Sequence, residues 1–268
     1  MSHKLFMLVN IIILMLSIIG LGLWDVTDIS IKGLERVKAA DVVYLETYTS
    51  VFGTPVEDLE KFFGKKLLRA DRQLVEQTAE RLLAECRRKS VVLLIYGDPL
   101  CATTHVDLLA RAHADGISTE ILQNASVLTA VARTGLQLYK FGKTGSIPFS
   151  QGDYQPETPY IVLKENLSIG AHTLFLLDLR PDEQKFMTVT EGVRELQRME
   201  IKQGKGLIKD SAVIIGCARL GAPDEMIRAG TLREIAKIDL GKPPHCIIVP
   251  GKLHFVEEEW IKKWTAEK

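Results

Sequence analysis

Unbroken apolar runs alternate along this chain with stretches of helical period. Val91-Val92-Leu93-Leu94-Ile95-Tyr96 has the length and β-branched content of a strand buried on both faces. Met15–Ile19, Val42–Leu45, Thr173–Asp178, Ser211–Cys217 and Cys246–Val249 read the same way, with Lys66–Leu68, Ile117–Leu122 and Ser146–Phe149 as further strands. Between them lie predicted helices: Asp28–Ala40, with Ile31, Leu34 and Val37 on one face, then Asp71–Arg87, Thr104–Ala114, a helix from Ser126, Glu157–Leu167 and Glu257–Trp264. Thr54-Pro55-Val56-Glu57 and Thr188-Val189-Thr190-Glu191 read as capping boxes, opening helices that run to Phe63 and Ile201. This alternation predicts an α/β protein of two tandem αβα domains with mostly parallel sheets, residues 1–122 and 123–268. Gln123-Asn124-Ala125 is the crossing point, and the Gly/Pro-rich segment Phe141–Pro159 is loop around its strand.

Composition narrows the picture only a little. At 268 residues, with 46% hydrophobic and 25% charged residues, the chain is an ordinary globular one, long enough for two cores. Lys+Arg and Asp+Glu both number 34, which argues against direct nucleic-acid binding, since phosphate contacts need a basic excess. The four cysteines, Cys86, Cys101, Cys217 and Cys246, are scattered, with no C-x-x-C pair and no zinc-ligand spacing. They read as structural thiols in a reducing, cytoplasmic setting, Cys217 and Cys246 as core residues. From Leu5 to Trp24 there is no charge, about the length of a membrane span. Asn10, Ser17, Gly20 and Gly22 interrupt that stretch, and a first strand preceded by an apolar extension over residues 1–14 is preferred to an anchor or signal peptide. An upstream start, an elongated strand or a tail would each give such an extension.

Candidate chemistry gathers after the strand ending at Tyr96. Gly97-Asp98-Pro99-Leu100-Cys101-Ala102-Thr103-Thr104-His105 leaves the carboxyl end of a buried strand, where open α/β sheets bind ligands. Asp98 is there to hydrogen-bond a ribose or amino group, or to cap the next helix. Thr103 and Thr104 read as capping residues, and His105 as a packed or surface residue in the first helical turn. Gly20-x-Gly22 follows a strand, but Asp25 stands where the full G-x-G-x-x-G pattern needs glycine, so a tight turn is preferred to a nicotinamide site. Ser126 is a helix cap or a ligand contact. Asp178 closes a buried strand, and Pro243-Pro244 holds His245 in an extended segment. No Ser-His-Asp order, carboxylate pair or metal cluster stands out, which points to a site that binds and orients a ligand without a covalent intermediate.

At these residues the chain resembles the diphthine synthase family, part of the tetrapyrrole-methylase-like class of S-adenosylmethionine-dependent methyltransferases. The resemblance runs from about residue 15 to the end. It rests on Ile19–Leu23, Asp28–Glu35, Glu46-Thr47-Tyr48-Thr49-Ser50, Gly97–His105, Asn124-Ala125-Ser126-Val127, Gly135–Lys143, His172–Asp178, Ala218–Gly221, Ile227–Gly230 and Pro250–His254. It implies a homodimer with a cofactor cleft between two domains and S-adenosylmethionine contacts at Leu23, Asp98, Cys101, Ser126, Val127, Leu177, Leu220 and His245. It implies as protein substrate translation elongation factor 2, on a histidine bearing a 3-amino-3-carboxypropyl group, in a cytoplasmic pathway without metal. Tyr48, Lys140 and Arg219 are the candidates near the acceptor, with Lys140 or Arg219 pairing its carboxylate. The Asn124-Ala125-Ser126 and Leu136–Tyr139 wording leans toward eukaryotic-type members, which add a fourth methyl as an ester. The short Asp178–Met187 connection lacks an insertion that many of them carry, so three or four methyls both stay open. The competing readings are a related methylase of a tetrapyrrole or other small acceptor, and a non-catalytic cofactor-binding protein.

Overall fold

The computed structural model describes residues 14–152 and 155–265. The expected extension over residues 1–14 thus lies, apart from Leu14, outside the described residues. Among the described residues no helix is long and apolar enough to cross a membrane. The chain divides into two compact units. The first takes the described residues up to Gly22, with Val26–Thr47 and Thr54–Asn124; the second takes Leu23–Asp25, Tyr48–Gly53 and the chain from Ala125 on.

In the first unit β1 (Leu16–Gly20), α1 (Ile31–Ala39), β2 (Val42–Glu46), α2 (Val56–Phe63), β3 (Leu67–Ala70), α3 (Ala79–Cys86), β4 (Val91–Ile95), α4 (His105–Ala114) and β5 (Thr119–Leu122) follow in order. The sheet runs β3-β2-β4-β1-β5 with every pairing parallel. Every residue of β1 and β4 is buried, which is why neither strand alternates: β4 is a continuous apolar run and β1 is broken only by Ser17 and its final glycine.

Three local expectations are corrected here. In α1 the buried residues are Gly33 and Val37, while Ile31 is 78% exposed. Ser30 Oγ accepts from Gly33 N at 3.0 Å and starts the helix there, turning Ile31 to the outside. The Thr54 capping box does not form, because Thr54 Oγ1 accepts from Val26 N at 3.1 Å and Pro55 takes the cap position without a side-chain bond. Asp71–Arg87 is not one helix: a π-helical turn, Gln73–Gln77, ends at Thr78 (φ −121°, ψ 38°) before α3 begins.

The second unit contains α5 (Val127–Ala130), β6 (Gly145–Ile147), α6 (Thr158–Ser168), β7 (Thr173–Leu177), a short hairpin of β8 (Leu179–Arg180) and β9 (Lys185–Phe186), α7 (Val189–Gln203), β10 (Val213–Ala218), β11 (Met226–Thr231), α8 (Leu232–Ile235), β12 (His245–Val249) and α9 (Phe255–Ile261). Its main sheet runs β11-β10-β12-β7-β6. Only β6–β7 is parallel; β7–β12, β12–β10 and β10–β11 are antiparallel, so this sheet is mixed where a mostly parallel one was expected. For β10 and β11 the physical reason is connection length. The short segment between Ala218 and Met226 can only turn the chain back on itself, because a parallel return needs a long crossover. Strand alternation gives this sheet two apolar faces. Phe175, Leu177, Ile247 and Val249 pack with Val193, Leu196 and Met199 of α7, and Leu174, Cys246 and Ile248 pack with Val131, Leu136 and Ile261. The capping box at Thr188 forms in full, Thr188 Oγ1 accepting from Glu191 N at 3.2 Å and Glu191 Oε2 accepting from Thr188 N at 2.7 Å.

Candidate active site

Three loops at the carboxyl ends of neighbouring strands are tied to one another in the first unit. β1 runs into Gly20-Leu21-Gly22, β4 into the loop at Gly97, and β5 into Asn124. Leu21 N donates to Ile95 O at 2.8 Å, Gly97 N to Gly22 O at 2.8 Å, and Gly22 N to Gly97 O at 3.2 Å. This approach excludes side chains: a Cβ on Gly20 would stand 2.5 Å from Gly97 O. Gly22 and Gly97 also have φ of +89° and +82°, conformations that glycine adopts at little cost. The tight-turn reading of Gly20-x-Gly22 is therefore the right one.

Asn124 closes the cluster. Its Nδ2 donates to Gly20 O at 3.0 Å and to Asp28 O at 2.9 Å, and its backbone N donates to Asp98 Oδ2 at 3.0 Å. The other Asp98 oxygen, Oδ1, accepts from Leu100 N at 2.8 Å, an Asx turn that folds the loop over its own carboxylate. Asp98 is 3% exposed and does not cap α4. Cys101 N donates to the Asp98 carbonyl at 3.3 Å, and Ala102 follows at φ +57°. Thr104 occupies the cap position of α4 but its hydroxyl donates to Glu76 Oε1 at 3.0 Å, and Thr103 Oγ1 donates to Pro99 O at 2.9 Å, so neither threonine caps the helix through its side chain.

His105 is packed, as expected, but it is also charged-partnered. Its Nδ1 lies 2.9 Å from Pro99 O and its Nε2 2.9 Å from Glu46 Oε2, with both side chains almost wholly buried. Burial opposes protonation of the ring, yet the bond to Glu46, its charge and the Pro99 carbonyl outweigh that and hold the His105 pKa above its ordinary value. Both ring nitrogens face acceptors, which is the environment of an imidazolium.

In the second unit the strand register collects a second group of residues at one sheet end. Ile147 pairs with Leu177, Leu176 with Cys246, and Ala218 with His245, so the end of β7, the start of β12 and the exit of β10 toward Leu220 lie together. His245 Nδ1 accepts from Val189 N at 3.2 Å and its Nε2 donates to Lys242 O at 2.9 Å, a neutral ring. Burial lowers its pKa, helped by the nearby Arg219 charge. The imidazole borders a cavity of about 240 Å³ lined also by Thr188, Val189 and Leu240. Leu23, Val127 and Leu220 share one apolar cluster with Cys217 and Cys246, the two cysteines being direct cross-strand partners in the core. Ser126 caps α5, its Oγ accepting from Leu128 N at 3.2 Å. Tyr48 is buried as well.

The two basic acceptor-side candidates have internal work. Lys140 Nζ donates to Lys252 O at 2.8 Å and pairs with Glu257, a fully buried carboxylate. Glu257 also accepts from Gln137 N at 2.9 Å, His254 N at 2.8 Å and His172 Nε2 at 3.1 Å. Against the penalty of burial, these donors hold its pKa down to about 2. Arg219, 4% exposed and at φ +51°, donates to Asp224 Oδ2 and Asp224 O at 2.9 Å each, to Leu240 O at 2.9 Å and to Lys242 O. With its guanidinium clamping the turn before Pro243-Pro244, Arg219 is a structural cation. Asn124 and the Glu46–His105 pair are the residues that reading by spacing left without a role. Glu46 ends β2 and His105 begins α4, with two strands and two helices between them, so no local signal marks the pair, whereas an asparagine directly after a strand end is a turn signal.

The sequence model of the family described as Tetrapyrrole (Corrin/Porphyrin) Methylases matches residues 15–236. The diphthine synthase of Methanocaldococcus jannaschii is 45% identical over 251 residues, 92% of this chain and 98% of that protein. The chain belongs to the diphthine synthase family. The diphthine methyl ester synthase of Aspergillus fumigatus is 39% identical over 270 residues, 95% of each chain. A crystal structure of diphthine synthase superimposes with a TM-score of 0.86 at 40% identity, covering 94% of this chain and 96% of that one. Membership in this family fixes the class of chemistry as methyl transfer, and both member types, the synthase and the methyl ester synthase, are similar to it over nearly full length.

Proposed function

We propose that this chain is an S-adenosylmethionine-dependent methyltransferase that methylates the 3-amino-3-carboxypropyl-modified histidine of translation elongation factor 2 in diphthamide biosynthesis, acting in the cytoplasm as a homodimer. The observation that carries the reading is the tied cluster of Gly20–Gly22, Gly97–Cys101 and Asn124 around the buried Asp98 carboxylate. The residues fit the cofactor: the buried Asp98 carboxylate keeps lone pairs beyond the two amides it accepts, at the carboxyl end of β4 where open α/β sheets bind ligands. Asp98 and Cys101 in the first unit, and Leu23, Ser126, Val127, Leu177, Leu220 and His245 in the second, are the proposed cofactor contacts. Apolar side chains at five of these positions suit a ligand held by van der Waals contact and backbone bonds.

S-adenosylmethionine supplies a methyl group already activated on a sulfonium. What remains for the protein is to hold an uncharged acceptor amine in line with that carbon at about 3–3.5 Å and to keep water away. A pre-tied loop cluster does this without a nucleophile, which matches the absence of a triad in the sequence. Tyr48 stays as the acceptor-side candidate. It is preferred to Lys140 and Arg219, whose donors serve Glu257 and the Leu240–Lys242 carbonyls.

Incubation of purified protein with labelled S-adenosylmethionine and elongation factor 2 bearing the unmethylated 3-amino-3-carboxypropyl histidine tests the reading. Mass spectrometry should count three added methyls, or four with one labile to mild base as an ester. Transfer to a porphyrinoid alone would overturn the substrate assignment. Sedimentation equilibrium at twice the chain mass checks the homodimer.

A further inference from the structure

The proposed chemistry makes no use of His105, yet few side chains here are so completely engaged. We infer that His105, oriented by Glu46, is a positioning residue that holds the Gly97–Cys101 loop in its cofactor-binding shape through the Pro99 carbonyl. The inference rests on the methyltransferase reading for its purpose, and on geometry for its substance.

Glu46 is the last residue of β2, and His105 the first of α4, so both are carried by regular elements in one unit. Between β4 and α4 the loop must leave the sheet through Gly97 at φ +82° and Ala102 at φ +57°, a left-handed residue that is not glycine. Strain of this kind persists only where surrounding bonds over-determine the backbone. Asp98 accepts two such bonds, from Leu100 N within the loop and from Asn124 N outside it, and Gly97 exchanges backbone bonds with Gly22. His105 adds one at Pro99: Nδ1 to Pro99 O at 2.9 Å, with Thr103 Oγ1 on the same carbonyl at 2.9 Å. Glu46 Oε2 lies 2.9 Å from Nε2 on the opposite side, an ion-pair contact with the protonated ring. Burial of the pair, His105 at 1% and Glu46 at 0% exposure, keeps water from competing with either contact.

Two substitutions separate positioning from mere packing. Asparagine places its amide nitrogen near Nδ1 and keeps the Pro99 bond, whereas glutamine reaches toward Glu46 and loses it. In the free protein, amide exchange over 97–105 should stay slow in His105→Asn and speed up in His105→Gln. S-adenosylmethionine Kd should rise about tenfold in His105→Gln, the size of one charge-assisted hydrogen bond, and no more than about threefold in His105→Asn. At saturating cofactor kcat should change by less than about twofold in either, because the reacting atoms are untouched. Equal exchange and equal affinity in the two variants would overturn the inference. Where His105→Gln does not fold, His105→Asn alone decides: retained loop protection supports the bond to Pro99, and lost protection overturns it. Wild-type protein that fails to bind S-adenosylmethionine sinks the methyltransferase reading, while the exchange comparison still judges the loop.

Discussion

Histidines 105 and 172 are both buried beside a glutamate, yet their environments drive them to opposite charge states. His172 accepts from Gly251 N on Nδ1 at 3.0 Å and donates from Nε2 to Glu257, so a second proton would break a bond already made. Burial is the main reason its pKa lies below the ordinary 6.5, with the Lys140 charge adding to it against the pull of Glu257. His105 meets two acceptors and moves the other way. The stability consequences have opposite signs. The raised His105 contributes fully below pH 6.5 and its contribution is lost as pH climbs through the raised value. The lowered His172 contributes above 6.5 and loses that as pH falls, and Glu257 adds a second loss from about pH 4.5 down to its value of about 2. A Tm profile should therefore drop on both sides, and His105→Gln should flatten only the alkaline side. Glu257→Ala should cost about 3 kcal/mol at neutral pH, as expected when a buried charge network loses its centre, with the loss shrinking below pH 4 in chemical denaturation. Asp98→Ala removes an Asx turn and the tie to Asn124 together. It should raise the cofactor Kd at least tenfold and cost about 2 kcal/mol of stability by denaturant titration, so binding and folding fall together at this position.

At the scale of elements, the sequence pattern was a good guide wherever one physical preference acted alone. β1 and β4 are buried on both faces, β4 as a pure apolar run and β1 as one broken by Ser17, and Thr188 and Glu191 cap α7 reciprocally. Thr54 had a competitor, the Val26 amide from a segment remote in sequence, and the predicted cap was lost to it. β11 went unseen because Arg228 and Gly230 break its apolar run, its place in the sheet being set by the turn after β10. The candidate site was legible to the same degree. Glycines at strand ends and a carboxylate between them are local signals, and they marked the loop cluster. The acceptors that occupy Lys140 and Arg219 include the Lys252 and Leu240 carbonyls and the Glu257 carboxylate, all distant along the chain, and no spacing rule reveals them. Gly20→Ala tests the close approach directly. With Gly97 O 2.5 Å from the new Cβ the loops must part, so Tm should fall with a loss of about 1–3 kcal/mol and cofactor affinity should fall with it.

Over the whole molecule, the chain passes between the two units more than once: Leu23–Asp25 and Tyr48–Gly53 belong with residues that follow Ala125. A fragment beginning at Ala125 lacks Leu23 from its apolar cluster and should be less stable than the same residues in the full chain, measurable by denaturant titration of both. The order of the first sheet carries a further consequence, for biogenesis. β1 has only β4 and β5 as neighbours, so this wholly buried strand is made first and finds its first partner only when Val91 and its successors have been synthesised. Until then β2 and β3 can pair with each other, but β1 waits with its backbone unsatisfied and its side chains exposed, the state that chaperones bind and aggregation exploits. Nascent chains halted before β4 should thus associate with a holdase through residues 14–20, and release should coincide with emergence of Val91–Ile95 from the ribosome. The same central placement that brings Gly20 against Gly97 makes the first strand the last to be safe.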